Sequence, residues 1–144
     1  MNKLYVALNK QVSNFSVLFT KLHHYHWYVK GPEFFSLHEH LEELYNEVNE
    51  LYDEYAERLI AIGGKPISNL KGYLEVTSLN EATEESTKDM ILAVSNDLKL
   101  LVTELKEVID LADKVDDYGT ADMATSTIRS FDKHIWMFTA LLNK

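Results

Sequence analysis

Histidine and carboxylate side chains recur on one face of the segment between residues 34 and 62. On a helix that turns about 100° per residue, four of these side chains fall within roughly 100° of one another. They are His38, Glu42, Asp53 and Glu57. The apolar residues of the segment occupy another face, so these groups point away from the expected core. Imidazole nitrogens and carboxylate oxygens suit iron, zinc or manganese, and the pattern therefore indicates a metal site.

The distances between these side chains along the helix determine how a metal site could form. His38 and Asp53 are separated by about 22 Å along the helix, which is too far for both to bind one ion. His38 and Glu42 lie one turn apart and can share an ion, and the same holds for Asp53 and Glu57. A metal ion held by all four side chains therefore requires two chains.

The spacing along the helix is self-complementary, as a two-fold interface requires. Two copies can pair antiparallel about the midpoint between residues 47 and 48. The positions that then face each other are His38 with Glu57, Glu42 with Asp53, and Phe35 with Ile60. The apolar pair gives the interface a hydrophobic contact that would otherwise be exposed to solvent.

An ordinary solvated surface is the alternative interpretation of this acidic face, because charged residues usually mark the exposed side of a helix. Further acidic residues on the same helix fit that alternative, namely Glu39, Glu43 and Glu54. A histidine at the correct turn and the apolar pair favour the metal site. On pattern alone, both interpretations stay open.

Five other histidines accompany His38 in the sequence. His26 lies six residues before Pro32 and His38 lies six residues after it, so an antiparallel helix pair brings them to similar height. His26 also falls on an apolar stripe, where a lone histidine is usually a hydrogen-bonded core residue. The remaining four lack comparable partners and are expected at the surface, next to the site or in structural positions: His23, His24, His40 and His134.

Four long segments with apolar residues at three- and four-residue spacing must position these groups, and that spacing is typical of amphipathic helices. The predicted helices span residues 4–29, 34–62, 86–112 and 120–142, with a short helix near 70–76. Gly31–Pro32 makes the first connection tight, whereas the second is long. The pattern predicts an all-α four-helix bundle with one long crossover, in a single domain over residues 1–144.

Composition narrows the class of protein further. A chain of 144 residues with 46% hydrophobic residues can bury one core, and the absence of cysteine excludes thiolate metal sites. No segment is typical of a signal peptide or a membrane span, which predicts a cytoplasmic protein. A net charge of −9 argues against a generic nucleic-acid binder, because such proteins neutralise phosphates with lysine and arginine.

Several motifs resemble one known family, the Dps mini-ferritins. They are HW, FFxLHE and DExAERxxAxGG within residues 20–66, and DKHIWMF at residues 132–138. Together with the helix pattern, the resemblance covers nearly the whole chain. It implies a ferritin-like bundle and a hollow dodecamer with ferroxidase centres at two-fold interfaces. It also implies that Fe(II) is oxidised preferentially by hydrogen peroxide and that ferric oxide is stored inside the shell.

The resemblance also assigns roles to particular residues. The positions that match the metal-binding residues of the family are His26, His38, Asp53 and Glu57. The position four after His38 is commonly Asp in the family and is Glu42 here, so the carboxylate has a longer reach. Trp27 matches an aromatic residue beside the site, where it either intercepts oxidising equivalents or simply packs.

Acidic residues around the turn into the last helix match the region that lines iron-entry pores in the family. They are Asp113, Asp116, Asp117 and Asp122. A negatively charged opening concentrates cations. A solvated loop is the alternative interpretation, since aspartate is also favoured at helix N-termini.

Three functions compete at this point. The leading hypothesis is a peroxide-dependent ferroxidase that stores iron, with a di-iron centre. The second is a DNA-compacting protein, but the acidic charge and the lack of a recognisable Lys/Arg-rich tail predict no strong DNA binding. The third is an oligomer occupied mainly by zinc, which His–carboxylate ligation also suits.

Overall fold

The computed structural model describes residues 2–143, and five helices make up that part of the chain. They are α1 Asn2–Tyr28, α2 Phe34–Ala61, α3 Leu70–Val76, α4 Thr87–Asp113 and α5 Tyr118–Leu142. Residues 2–143 contain no strand, so the predicted all-α class is confirmed. Every observed bound lies within two residues of the predicted one. Met1 and Lys144, which complete the predicted domain, lie outside the described residues.

Local capping explains where the helices begin and end. After α2 the chain reaches Gly63 with φ of +102°, a conformation that glycine adopts without a Cβ clash. The amides of Gly63 and Gly64 donate to the carbonyl oxygens of Ile60 and Leu59 and so close the last turn. Three other helices begin with a residue whose side-chain oxygen accepts a hydrogen bond from a backbone amide in the first turn; these residues are Asn69, Ser86 and Asp117.

The four long helices surround one hydrophobic core. α1 packs against α2 and α4, α4 packs against α5, and α3 covers α1. Phe15 of α1 meets Tyr55 and Phe131 edge-on, with ring centroids 5.0 and 6.3 Å apart. The long connection between α2 and α4 carries α3. The predicted four-helix bundle with a short extra helix in its long connection is therefore confirmed.

Polar side chains, rather than close backbone packing, join α2 to α5. The contacts are Tyr55 with Thr127, Arg58 with Asp117 and Thr120, Glu47 with Ser130, and His40 with His134. Long side chains thus span the gap between these two helices. Within residues 2–143, no helix combines the length and the hydropathy that crossing a membrane requires.

Asp117 caps α5 and also binds Arg58 of α2, so it joins two helices at one point. Its carboxylate accepts the amide hydrogen of Thr120, and Arg58 Nη2 lies 2.7 Å from Asp117 Oδ1. Burial raises the pKa of Asp117, but hydrogen bonds from Thr120 and Arg58 outweigh burial and hold that pKa below its usual value. The folded chain is therefore stabilised by the ionised carboxylate.

Replacing Asp117 with alanine should destabilise the fold at neutral pH by about 0.5–2 kcal/mol, the usual cost of losing an N-cap. Because the pKa of Asp117 is lower in the folded chain, its contribution to stability is fully present at pH values above the ordinary pKa of 3.8. That contribution is lost as the pH falls through the folded-state pKa. The difference in Tm between wild type and Asp117→Ala should therefore shrink in acid. Asp132→Ala, at an exposed position of α5, is the control. A Tm difference of constant size across the acid range would contradict this role.

Candidate metal centre

The tight turn between α1 and α2 brings His26, near the end of α1, against His38, near the start of α2. Their imidazole rings stack, with centroids 3.6 Å apart and an interplanar angle of 16°. His26 is buried, whereas His38 is partly exposed. The two histidines that the sequence placed at similar height are therefore in direct contact.

Two reciprocal hydrogen bonds fix the orientation of these rings. His26 Nδ1 lies 2.7 Å from the carbonyl oxygen of His38, and His38 Nδ1 lies 2.8 Å from the carbonyl oxygen of His26. Because a carbonyl oxygen only accepts, each neutral ring must carry its proton on Nδ1. Both Nε2 atoms then keep a free lone pair, which is the form that binds a metal. The backbone thus sets both tautomers.

Glu42, one turn after His38, adds a carboxylate to this pair. Its Oε1 atom lies 3.9 Å from His26 Nε2, and its side chain is 54% exposed. Among the described residues, His26, His38 and Glu42 form the one group of three potential metal ligands whose donor atoms lie within 4.8 Å of one another. An ion bound here would have imidazoles on its protein side and open positions toward solvent.

Asp53 and Glu57 lie farther along the exposed surface of α2, and neither belongs to this cluster in a single chain. Both line an open groove between α2 and the first turns of α5. Phe35 and Ile60, on the same helix, are 80% and 60% exposed. One chain therefore brings together three of the five predicted ligands and leaves two carboxylates and two large apolar side chains facing solvent.

Tyr45 and His23 contact the cluster, although the sequence pattern did not single out Tyr45. The Tyr45 ring meets the His26 ring edge-on at 5.2 Å and stacks on His23 at 3.8 Å. His23 in turn lies 5.4 Å from Trp27, which is 64% exposed. A continuous row of aromatic rings thus connects the cluster to the surface. The three- and four-residue spacing of His23, His26 and Trp27 on α1 could have predicted that these three rings lie side by side.

The remaining histidines occupy different surroundings. His24 contacts the ring of Tyr28 at 4.7 Å. His134 is buried, in keeping with a structural position, and its Nδ1 atom lies 2.9 Å from His40 Nε2. The sequence did not indicate that His40 has this partner, because the two residues lie on helices that only the fold brings together.

The four aspartates assigned to a pore fall into two groups. Asp113, Asp116 and Asp122 are exposed, and Asp116 adopts a positive φ of 57° in the turn before α5. Asp117 is mostly buried, and its carboxylate binds Arg58 and Thr120. The three exposed carboxylates can attract cations, whereas Asp117 already has a structural role.

A four-helix bundle with one long crossover is the architecture of ferritin-like proteins, and a ferritin-like domain model matches residues 5–144. The chain is 48% identical over 146 residues to DNA protection during starvation protein 2 of Bacillus anthracis, covering 100% of both chains. The crystal structure of a Dps protein from Bacillus brevis superposes with a TM-score of 0.96 at 48% identity, covering 98% of this chain and 95% of that one.

A zinc-soaked structure of Dps from Listeria innocua is also similar, with a TM-score of 0.94 and 45% identity over 98% of this chain and 97% of that one. Full-length matches at this identity leave the family in no doubt. The chain belongs to the Dps family of ferritin-like proteins, as its motifs indicated.

Proposed function

We propose that this protein stores and detoxifies iron by oxidising Fe(II) at centres shared between two subunits. The observation that carries the proposal is the cluster of His26, His38 and Glu42, in which the backbone leaves both Nε2 atoms free to bind a metal. Nitrogen and oxygen donors of this kind suit iron. Membership of a ferritin-like family supports iron as the substrate.

Each centre is completed, in this proposal, by Asp53 and Glu57 of the partner subunit. The same pairing covers Phe35 and Ile60, which are 80% and 60% exposed in the isolated chain. Large exposed apolar side chains on one helix face are typical of a protein interface. Repetition of this two-fold contact, together with others, builds a hollow dodecamer, and the exposed aspartates before and within α5 line its iron-entry pores.

The proposed reaction uses hydrogen peroxide as the preferred oxidant. Two Fe(II) ions each give one electron to one peroxide molecule, its O–O bond breaks, and two protons complete two water molecules. Because both electrons go to the same peroxide, no hydroxyl radical is released. The chain supplies ligands that hold two iron ions close together with positions open to peroxide. Ferric oxide then accumulates inside the shell, and Trp27 intercepts stray oxidising equivalents.

The wild-type protein should oxidise two Fe(II) ions per hydrogen peroxide when both are added without oxygen. Ferric absorbance would follow the reaction, and a peroxide probe would give the ratio. Zinc is the competing occupant, because His–carboxylate sites also suit it. Preloading with zinc should slow the reaction by occupying the same ligands. A protein that binds zinc but produces no ferric absorbance would contradict the ferroxidase proposal.

Strong DNA binding is not part of the proposed function. A net charge of −9 on each subunit, repeated over a shell, repels the phosphate backbone. The name of the Bacillus anthracis relative refers to DNA protection; removal of Fe(II) and peroxide could protect DNA without contact. A gel-shift experiment at low salt should therefore show free DNA, and tight complexes under those conditions would refute this part of the proposal.

A further inference from the structure

A second pair of histidines lies between α2 and α5, apart from the cluster of His26, His38 and Glu42. His40 Nε2 lies 2.9 Å from His134 Nδ1. His134 is only 8% exposed, and His40 stacks on the ring of Phe138 with centroids 4.4 Å apart. The backbones of α2 and α5 do not pack closely, so these two side chains meet across the gap between the helices.

A hydrogen bond to the carboxylate of Glu47 fixes the orientation of the His134 ring. His134 Nε2 lies 3.2 Å from Glu47 Oε1, and the Ser130 hydroxyl donates to Glu47 Oε2 at 2.8 Å. Burial raises the pKa of Glu47, but the hydrogen bonds from His134 and Ser130 outweigh burial and lower that pKa below its usual value. The ionised carboxylate only accepts, so His134 Nε2 carries a proton and, in the neutral ring, Nδ1 presents its lone pair to His40.

This arrangement has the geometry of a partial metal site. Proteins commonly orient a metal-binding imidazole by a hydrogen bond from its other nitrogen to a carboxylate. Two nitrogens that are each about 2.0–2.1 Å from one metal ion lie about 2.9 Å apart at the right angle of an octahedral shell and about 3.3 Å apart at the tetrahedral angle that Zn²⁺ prefers. The observed separation of His40 Nε2 and His134 Nδ1 is 2.9 Å. This separation also fits neighbouring ligands of one ion, but it is set at present by an N–H···N hydrogen bond, so both rings must turn for their lone pairs to meet at an ion.

We propose that His40 and His134 bind a divalent transition-metal ion, with Glu47 as the positioning residue and water as the remaining ligands. Imidazole pairs suit Zn²⁺, Co²⁺, Ni²⁺ and Fe²⁺. Binding moves the proton of His40 from Nε2 to Nδ1, so the neutral ring ligates without net release of a proton. The ion links α2 to α5. Because the unfolded chain does not hold the two histidines together, binding should raise Tm.

The test separates this site from the proposed iron centre by using a parent variant that carries both His38→Ala and Asp53→Ala. Equilibrium dialysis of the assembled parent with Co²⁺ should show one more bound ion per subunit than the same parent carrying His134→Gln. The visible absorption of Co²⁺ ligated by nitrogen should be stronger in the parent than in its His134→Gln derivative, because both proteins keep His26. Because Co²⁺ binding is measured rather than iron oxidation, the result does not depend on the ferroxidase proposal.

Two further variants distinguish a metal site from a hydrogen-bonded structural network. Glu47→Gln should weaken Co²⁺ binding about 10–100-fold while leaving the absorption spectrum of nitrogen ligation, as expected for a residue that acts through His134. His24→Gln, which removes a histidine without a histidine partner, should change neither stoichiometry nor affinity. Circular dichroism and oligomer size would verify that each variant folds. Equal Co²⁺ binding by the parent and its His134→Gln derivative would overturn the proposal.

Discussion

Mixing a His38→Ala subunit with an Asp53→Ala subunit should restore the iron oxidation that each variant lacks on its own. Loss of a partner that merely orients a ligand already costs about 10–100-fold, so removal of a ligand should reduce oxidation by about 100-fold or more. In a hybrid dimer, the Asp53→Ala chain still supplies His26, His38 and Glu42, and the other chain supplies Asp53 and Glu57. One of the two centres is then intact.

The size of the recovery is also predictable. If equal amounts pair at random, half of the dimers are hybrids with one intact centre each, so activity should return to about a quarter of the wild-type value. Hybrids would be made by co-expression or by unfolding and reassembly, and ferric absorbance would be measured with peroxide under anaerobic conditions.

A matched control uses two variants that both damage the same half of the centre. Mixing His38→Ala with Glu42→Ala should restore nothing, because every centre in such a hybrid still lacks one ligand. The single-chain model of the site predicts that neither mixture recovers activity. If the mixture of His38→Ala and Asp53→Ala oxidises iron no faster than the average of its two components, the proposal of a centre shared between two subunits is wrong.

Replacing Phe35 with aspartate should prevent assembly while leaving the helices of the chain intact. Phe35 is 80% exposed in the isolated chain and contacts Phe34 at 5.3 Å, outside the hydrophobic core. In the proposed dimer it faces Ile60 of the partner subunit, and the contact occurs twice. An aromatic residue that is buried at an interface can contribute about 2 kcal/mol, so losing both copies should weaken the dimer about a thousandfold.

Analytical ultracentrifugation and circular dichroism would separate the two effects of Phe35→Asp. Sedimentation should show smaller species, the helical signal should persist, and peroxide-dependent iron oxidation should fall together with assembly. Phe35→Leu keeps an apolar side chain and should assemble. A Phe35→Asp protein that remains a full-sized oligomer with normal activity would exclude Phe35 from the interface.

The helices and the spacing of groups along each of them could be predicted from the amino-acid sequence, because both depend on neighbours within one or two turns. The apolar periodicity of residues 34–62 indicated α2. The same regular rise showed that His38 and Asp53 cannot meet in one chain. The long second connection also predicted the crossover that α3 occupies.

Contacts between helices could not be predicted in this way, because they depend on how each helix is rotated and crossed against its neighbours. His26 lay on an apolar stripe and fitted either a core position or a ligand, until the reciprocal bonds with His38 showed its Nε2 atom free beside Glu42. Nothing in the sequence indicated that Tyr45 contacts His26.

Some features of the proposed metal sites thus follow from the sequence of α2, and others depend on how the helices pack. The row of ligands on α2 follows from the sequence, since 3.6 residues per turn place those side chains on one face. The choice of tautomer at His26 and His38, and the pairing of His40 with His134 across 94 residues, follow from tertiary packing. Hydrogen bonds between helices require distances of about 3 Å, and only the packed bundle sets distances that closely.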